Sequence, residues 1–406
     1  MKNKHQLYMW RPWFPRGIYS RLVKQYFATT NPRELLKSLE EELATYLGSK
    51  NVILMPSGTS AITTSLKVLL SQDKDEVLLP SLVCRNVPLA VQMAGKKPVF
   101  LEVRANTFNI DEDGIENQIG PRIGAIIAVY LFGLPCSITK VSETAKRRGI
   151  LFIEDAAQAL GASYREKKVG TLGDIGILSF NNKVTDACGG GAIVTDNDDF
   201  SYRIRRYRDS HFPITRKGFS RHLLRAWIAS QHPRLIPAIG KLLPHKTKTN
   251  SAMCLHLSSL LLLRSLLSKT DFIVSRRREN SQWYNNYLKS PHIEKPSQDT
   301  IAHSACSFYS IQLKSDRLAK QKEAIIAELI RHGIYTQTIV QGHHHEFAPG
   351  VSLPITEELS RSILSLPTDP NIGEAEIRYA SSLIDQVLDS FTRGYKDLEN
   401  ASTGRK

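Results

Sequence analysis

At 406 residues, with 41% hydrophobic and 23% charged residues, the chain has ordinary globular composition and room for one large and one small domain, which excludes disorder as its main character. Its net charge of +15 is concentrated in two acid-free stretches, seven Lys/Arg in residues 1–33 and ten in residues 210–270, so the rest of the chain is close to neutral. Five scattered cysteines (Cys84, Cys136, Cys188, Cys254 and Cys306) show no CxxC pairing and are expected to be reduced thiols.

The greasiest run, residues 253–267, is short and broken by His256 and Arg264, so no membrane span is expected. Residues 1–24 are basic and aromatic without a continuous apolar stretch or a small-residue cleavage site, unlike a signal peptide. A cytoplasmic location follows as the expectation.

Taken in order, residues 1–40 are expected to be a basic arm and 41–270 a large domain that includes the basic segment 210–270. Within it, residues 41–47 are expected to form a helix, 51–55 (NVILM) a short apolar strand, and the following PSGTSA to open a helix. Strand-like runs at 76–79, 98–101, 124–130 and 150–153 alternate with helical or loop segments, notably a helix near 87–94. This is the pattern of a mostly parallel sheet covered by helices. A helix at 272–288 leads into a smaller C-terminal α+β domain, residues 271–391, with an apolar run at 307–313 and helices at 317–332 and 374–388. Residues 392–406 are expected to be a polar tail.

Four clusters carry chemistry. Pro56-Ser57-Gly58-Thr59-Ser60-Ala61 lies between a strand and a helix, where unpaired N–H groups and the dipole suit a phosphate, although the same residues also make an ordinary helix cap. In residues 152–161 an apolar strand delivers Asp155 at its C-terminal end, where open α/β sheets place ligands; Glu154 is expected to point away from it. Residues 173–183 (GDIGILSFNNK) bring Lys183 just ahead of Gly189-Gly190-Gly191, a place where backbone can turn tightly. Finally, His343-His344-His345 invite a metal reading. Glu346 follows them, but consecutive side chains diverge in regular structure and no matching acid or Cys set lies nearby, so no metal is expected.

Together the first three clusters resemble those of the DegT/StrS family of pyridoxal-phosphate-dependent sugar aminotransferases, almost continuously over residues 41–195 and more weakly beyond. The resemblance implies an α/β fold-type-I transferase with pyridoxal 5'-phosphate as cofactor. It implies that Lys183 carries the cofactor as a Schiff base and moves the reacting proton, and that Asp155 holds the pyridine nitrogen protonated. Gly58, Thr59, Ser60 and Ser179 bind the phosphate and Gln158 lies beside the cofactor. An amino-acid donor, glutamate, gives its amino group to a keto sugar, nucleotide-linked, for surface polysaccharide or secondary-metabolite synthesis. The partners implied are these small molecules and a second copy of the chain, as a homodimer.

The chain departs from the family pattern at three places. The spacing from Ser179 to Lys183 is one residue short, Cys84 stands where an aromatic ring usually stacks on the pyridine, and the Asn motif reached from the partner subunit has no counterpart near residues 218–221. One of the three histidines is a candidate substrate contact, because this region borders the sugar pocket in the family. Rival readings are another sugar reaction on the same cofactor, dehydration or deoxygenation, and a non-catalytic regulatory protein of the same fold. The first goes with loss of the lysine, and Lys183 is present. The basic segment, with Leu223, Leu224, Trp227 and Ile228 on one helix face and Leu235, Ile236, Ile239, Leu242 and Leu243 beyond, suits either a pocket edge and dimer interface or weak contact with an anionic membrane surface. Tyr8, Trp10, Trp13 and Phe14 of the arm would add to the latter. No nucleic-acid module is present and no such partner is expected.

Overall fold

The computed structural model describes residues 6–9, 11–232, 254–296 and 303–403, with side chains to residue 393. Seven strands build the central sheet: β1 (Asn51–Met55), β2 (Glu76–Pro80), β3 (Lys97–Leu101), β4 (Ile123–Val129), β5 (Leu151–Asp155), β6 (Ile175–Ser179) and β7 (Gly191–Thr195). Their spatial order is β1-β7-β6-β5-β4-β2-β3. Only β7 runs against the others, antiparallel to both β1 and β6, while β6, β5, β4, β2 and β3 pair in parallel.

Helices cover both faces, which is why the strands read as apolar runs and not as alternating ones. Every residue of β4 is buried. Ala125, Ile127 and Val129 enter one core cluster, and Ile126 and Ala128 the opposite one. Each such aliphatic side chain contributes about 1.5–3 kcal/mol by leaving water. The parallel topology sends the C-terminal ends of β1, β5 and β6 to one edge of the sheet, which is where the site forms.

A second, smaller layer contains β8 (Ile293–Glu294), β9 (Tyr309–Leu313) and β10 (Ile363–Leu366), all antiparallel. The helices Thr270–Tyr287, Lys322–Arg331 and Glu374–Thr403 pack on it around a third apolar cluster. The expected large α/β unit and smaller α+β unit are therefore both present.

Two boundaries differ from the sequence expectation. The helix expected from residue 41 starts at Pro32, inside the segment expected to be an arm. Asn31 caps it by accepting from the amides of Arg33 and Glu34, and proline at the first position has no amide to leave unpaired. Its buried Glu40 accepts from the Leu54 amide of β1 at 2.8 Å and pairs with Arg205 and Arg208. The last helix runs to Thr403, through most of the segment expected as a tail.

The aromatic arm is also used differently from the membrane reading. Tyr8 stacks on Tyr335, Trp13 packs on Phe272, Phe14 meets Tyr19, and Leu7 is buried in the third cluster. These rings are half-buried against the rest of the fold; Trp10 lies outside the described residues. In the basic segment, helix Phe219–Gln231 leaves Leu224 and Trp227 exposed while Leu223 packs on the core. Leu235, Ile236, Ile239, Leu242 and Leu243 lie outside the described residues. No helix among the described residues is long and apolar enough to cross a membrane.

Candidate active site

β1 ends at Met55, and the chain turns into the helix Gly58–Leu69. Ser57 and Ser60 close a reciprocal cap: the Ser60 amide donates to Ser57 Oγ at 3.0 Å and the Ser57 amide to Ser60 Oγ at 2.9 Å. That leaves the amides of Gly58 and Thr59 as the helix-terminal donors nearest the sheet edge. Gly58 presses against β6: a Cβ there would lie 3.2 Å from the Cβ of Ser179.

β5 delivers Glu154 and Asp155 on opposite faces, as the strand period requires. Glu154 is fully buried and accepts from Tyr130 Oη at 2.8 Å and from the amides of Gly170, Leu172 and Gly173. It is a structural acid that pins the loop before β6. Asp155, also buried, accepts from the Ala157 amide at 3.0 Å. Burial pushes its carboxyl up from the ordinary Asp value, and the Ala157 amide and the charge of Lys183 offset part of this.

β6 ends at Ser179, and the loop after it carries Lys183. The loop turns sharply on both sides of Lys183: Asn182 and Cys188 take positive φ, 52° and 55°, and Gly189 and Gly190 follow with 146° and 95°. Asp186 ties this loop together by accepting from the amides of Asn182 at 3.1 Å and Cys188 at 2.9 Å. Burial pushes the Asp186 carboxyl up, against those two amides and the charges of Arg277 and Lys183. Sequence reading passed over Asp186, although an acid three residues after a reactive lysine, ahead of a glycine run, was the available signal.

These elements converge on a cavity of about 270 Å³. Gly58 and Thr59 line it from the helix terminus, Asp155 and Gln158 from β5 and its loop, and Ser179 and Lys183 from β6 and its loop. Six of the seven expected site residues are thus brought together. Ser60 is the exception, since it is absent from the lining and its hydroxyl is spent on the cap. Gln158 is fixed by accepting from the Phe132 amide at 2.9 Å. Cys84 lines the wall as expected, beside Asn86 and Val87, and no aromatic ring is among the lining residues.

A second cavity of about 540 Å³ lies behind the triple glycine and shares Ser57 and Asn181 with the first. Lys217, Arg221 and Arg225 from the basic segment line it. The histidines lie further out: Gly342 pairs with Leu82, next to Cys84, and His344 is buried while His345 is exposed.

The lining fits pyridoxal 5'-phosphate in the chemistry of its donors. It offers a helix terminus and a hydroxyl for the phosphate, a buried carboxylate without a cationic hydrogen-bond partner for the pyridine nitrogen, and a lysine for the aldehyde.

Comparison with known proteins gives the family. The chain matches the DegT/DnrJ/EryC1/StrS aminotransferase family over residues 23–384. It is 29% identical over 356 residues to a GDP-perosamine synthase of Caulobacter vibrioides, covering 86% of this chain and 89% of the relative. Similar solved structures include Helicobacter pylori PseC, an aminotransferase of pseudoaminic acid biosynthesis, with a TM-score of 0.78 and 20% identity over 95% of this chain and all of that one. DesI, solved with its TDP-sugar product, gives 0.77 and 22% over 98% of this chain and 96% of its own. TlmJ from Streptoalloteichus hindustanus, an aminotransferase, gives 0.79 and 22% over 95% and 100%. The fold-type-I architecture read from the sequence is the fold of these neighbours, and the chain belongs to the DegT/DnrJ/EryC1/StrS family of aminotransferases.

Proposed function

We propose that this aminotransferase uses pyridoxal 5'-phosphate to move an amino group from an amino-acid donor, glutamate, to a nucleotide-linked keto sugar. The observation that carries this is the convergence of the Gly58–Thr59 helix terminus, Asp155 and Lys183 on one cavity. Bound there, the cofactor supplies an electron sink for the carbon that loses or gains the amino group.

The protein's part is positioning and proton handling. The amides of Gly58 and Thr59, with Ser179 Oγ, hold the phosphate end. Asp155, a buried carboxylate whose hydrogen bond among the described residues comes from the Ala157 amide, would keep a proton on the pyridine nitrogen. Lys183 Nζ would be the amine that holds the cofactor's aldehyde and, when free, the base that moves the reacting proton. Lys183 in the cavity also argues against dehydration or deoxygenation, which goes with loss of that lysine.

Lys217, Arg221 and Arg225 beside the cofactor cavity support an anionic, nucleotide-bearing acceptor. The GDP- and TDP-linked sugars named for the Caulobacter relative and for DesI support the same class. The placement of the basic segment at this wall, and of the aromatic arm within the fold, favours a pocket edge and homodimer interface over a membrane surface for the segment's described part. The test is a panel of nucleotide-linked keto sugars incubated with glutamate and the purified, cofactor-loaded protein. Amino-sugar formation with stoichiometric release of the keto acid is expected with at least one, and no transfer to any of them, by a protein that does accept the amino group from glutamate, removes the acceptor class.

A further inference from the structure

The acid that follows the three histidines in sequence, Glu346, is engaged by Arg85, and the fold brings a second acid to them. Glu357, on the helix Pro354–Ser362, approaches the short helix His344–Phe347. Its Oε1 lies 3.4 Å from His344 Nε2 and also 3.4 Å from His345 Nε2. All three donor atoms lie within 4.8 Å of one another.

Those distances are long for hydrogen bonds, which run about 2.7–3.2 Å and shorter still when charged. They match the edge of a tetrahedron whose centre lies about 2.0–2.2 Å from nitrogen and carboxylate ligands, an edge of roughly 3.4 Å. One carboxylate oxygen faces two imidazoles at this same spacing, and the two rings sit 4.0 Å apart.

The surroundings hold this arrangement. His344 is fully buried, edge-on to Phe100, and its ring lies so close to Gly342 that a Cβ there would meet His344 Cε1 at 3.1 Å and Thr356 Cγ2 at 2.7 Å. Glu357 Oε1 also accepts from the Leu353 amide at 3.3 Å, which fixes the carboxylate toward the histidines. His345 is 63% exposed, so water can reach a fourth position.

We propose that His344 Nε2, His345 Nε2 and Glu357 form a binding site for one divalent ion of the Zn²⁺ class, completed by water. Two imidazoles and a carboxylate with an open fourth position suit such borderline ions better than Mg²⁺ or Ca²⁺, which prefer all-oxygen shells. The ion staples the helix His344–Phe347 to the helix Pro354–Ser362. Gly342, two residues before His344, pairs with Leu82, two residues before Cys84 on the cavity wall. Binding therefore stiffens the outer edge of the pocket without taking part in amino transfer.

The probe is Co²⁺, whose visible spectrum reports tetrahedral ligands, followed by Zn²⁺ displacement. Full-length, cofactor-loaded protein is stripped with a chelator, desalted and titrated. One equivalent of Co²⁺ is expected to bind with a visible band that Zn²⁺ removes, and Zn²⁺ is expected to raise the unfolding temperature. His345→Ala and Glu357→Gln should each weaken binding by about tenfold or more. Both are chosen to keep the fold, one side chain being exposed and the other replacement keeping the Leu353 acceptor. Absence of a protein-dependent band, an unchanged titration in these two variants, or loss of the band in Cys84→Ser instead would each overturn the site.

Discussion

Gly191, the first residue of β7, lies so close to the cofactor-facing turn that a Cβ on it would sit 2.5 Å from the carbonyl carbon of Ser57 and 2.6 Å from the Gly58 nitrogen. Both are backbone atoms, so the clash cannot be relieved by a rotamer change. Gly191→Ala is expected to push the helix terminus off the cavity. Stability should fall by about 1–3 kcal/mol, the usual cost of overpacking. Retention of pyridoxal phosphate should fall further, measured as visible absorbance per mole of folded protein after dialysis. Normal cofactor content in a variant destabilised to that extent would separate Gly191 from the phosphate-binding turn.

Lys183→Ala should leave the fold intact, because Lys183 is part-exposed on a loop whose closure depends on Asp186. The variant is expected to bind cofactor without a borohydride-reducible bond and to lose activity by at least roughly 10²–10⁴-fold, the range for removing a positioned proton-transfer group. A lysine other than Lys183 labelled after reduction of the wild type would move the assignment.

Asp155→Asn separates charge from shape, since an amide oxygen can still accept from the Ala157 amide. Turnover should drop by about 10²-fold or more with cofactor still bound, because a neutral amide does not hold the ring proton. The cofactor-free protein should respond in the opposite sense. The folded-state carboxyl is raised above its ordinary value of 3.8, so its contribution to stability is fully present below that value and is lost as pH rises through the raised one. Cofactor-free Asp155→Asn should therefore unfold at a higher temperature than wild type at neutral pH, with the gap closing as pH falls towards the ordinary Asp range. Equal unfolding temperatures at every pH would show that burial of Asp155 carries no cost.

Asp186→Ala removes the acceptor for the Asn182 and Cys188 amides that closes the lysine loop. Because the loop bears Lys183, kcat should fall more than the donor's KM rises, while Asp186→Asn, which keeps an acceptor oxygen, should recover part of the loss. Equal effects on both constants from the two variants would mean that the loop closes by other bonds.

Glu40→Ala tests the link between the first long helix and the sheet. Glu40 is 3% and Arg208 5% exposed, and removing one partner of a buried pair leaves the other charge uncompensated. A cost of about 3–5 kcal/mol is expected in denaturant unfolding, and a loss under ~1 kcal/mol, the range of a surface pair, would show that water reaches Arg208.

The sequence by itself determined the sheet and most of the cavity. Strands buried on both faces must be continuous apolar runs, so β1, β4 and β5 are visible as such, and parallel topology then puts Asp155 and the residues after Met55 and Ser179 at one edge. Lys183 was legible because its neighbours, a serine-ended strand and three glycines, restrict what that loop can do. Tertiary structure decided what depends on partners distant in sequence. The start of the first long helix at Pro32 is reinforced by Glu40 meeting Leu54, Arg205 and Arg208. The rings of Tyr8 and Trp13 are half-covered because Tyr335 and Phe272, hundreds of residues away, pack on them. Ser60 is turned from the cavity by its bond to Ser57, a choice between two local partners that spacing alone leaves open. Glu357 reaches His344 and His345 because two helices fold together across a turn, and periodicity within either helix carries no record of that encounter.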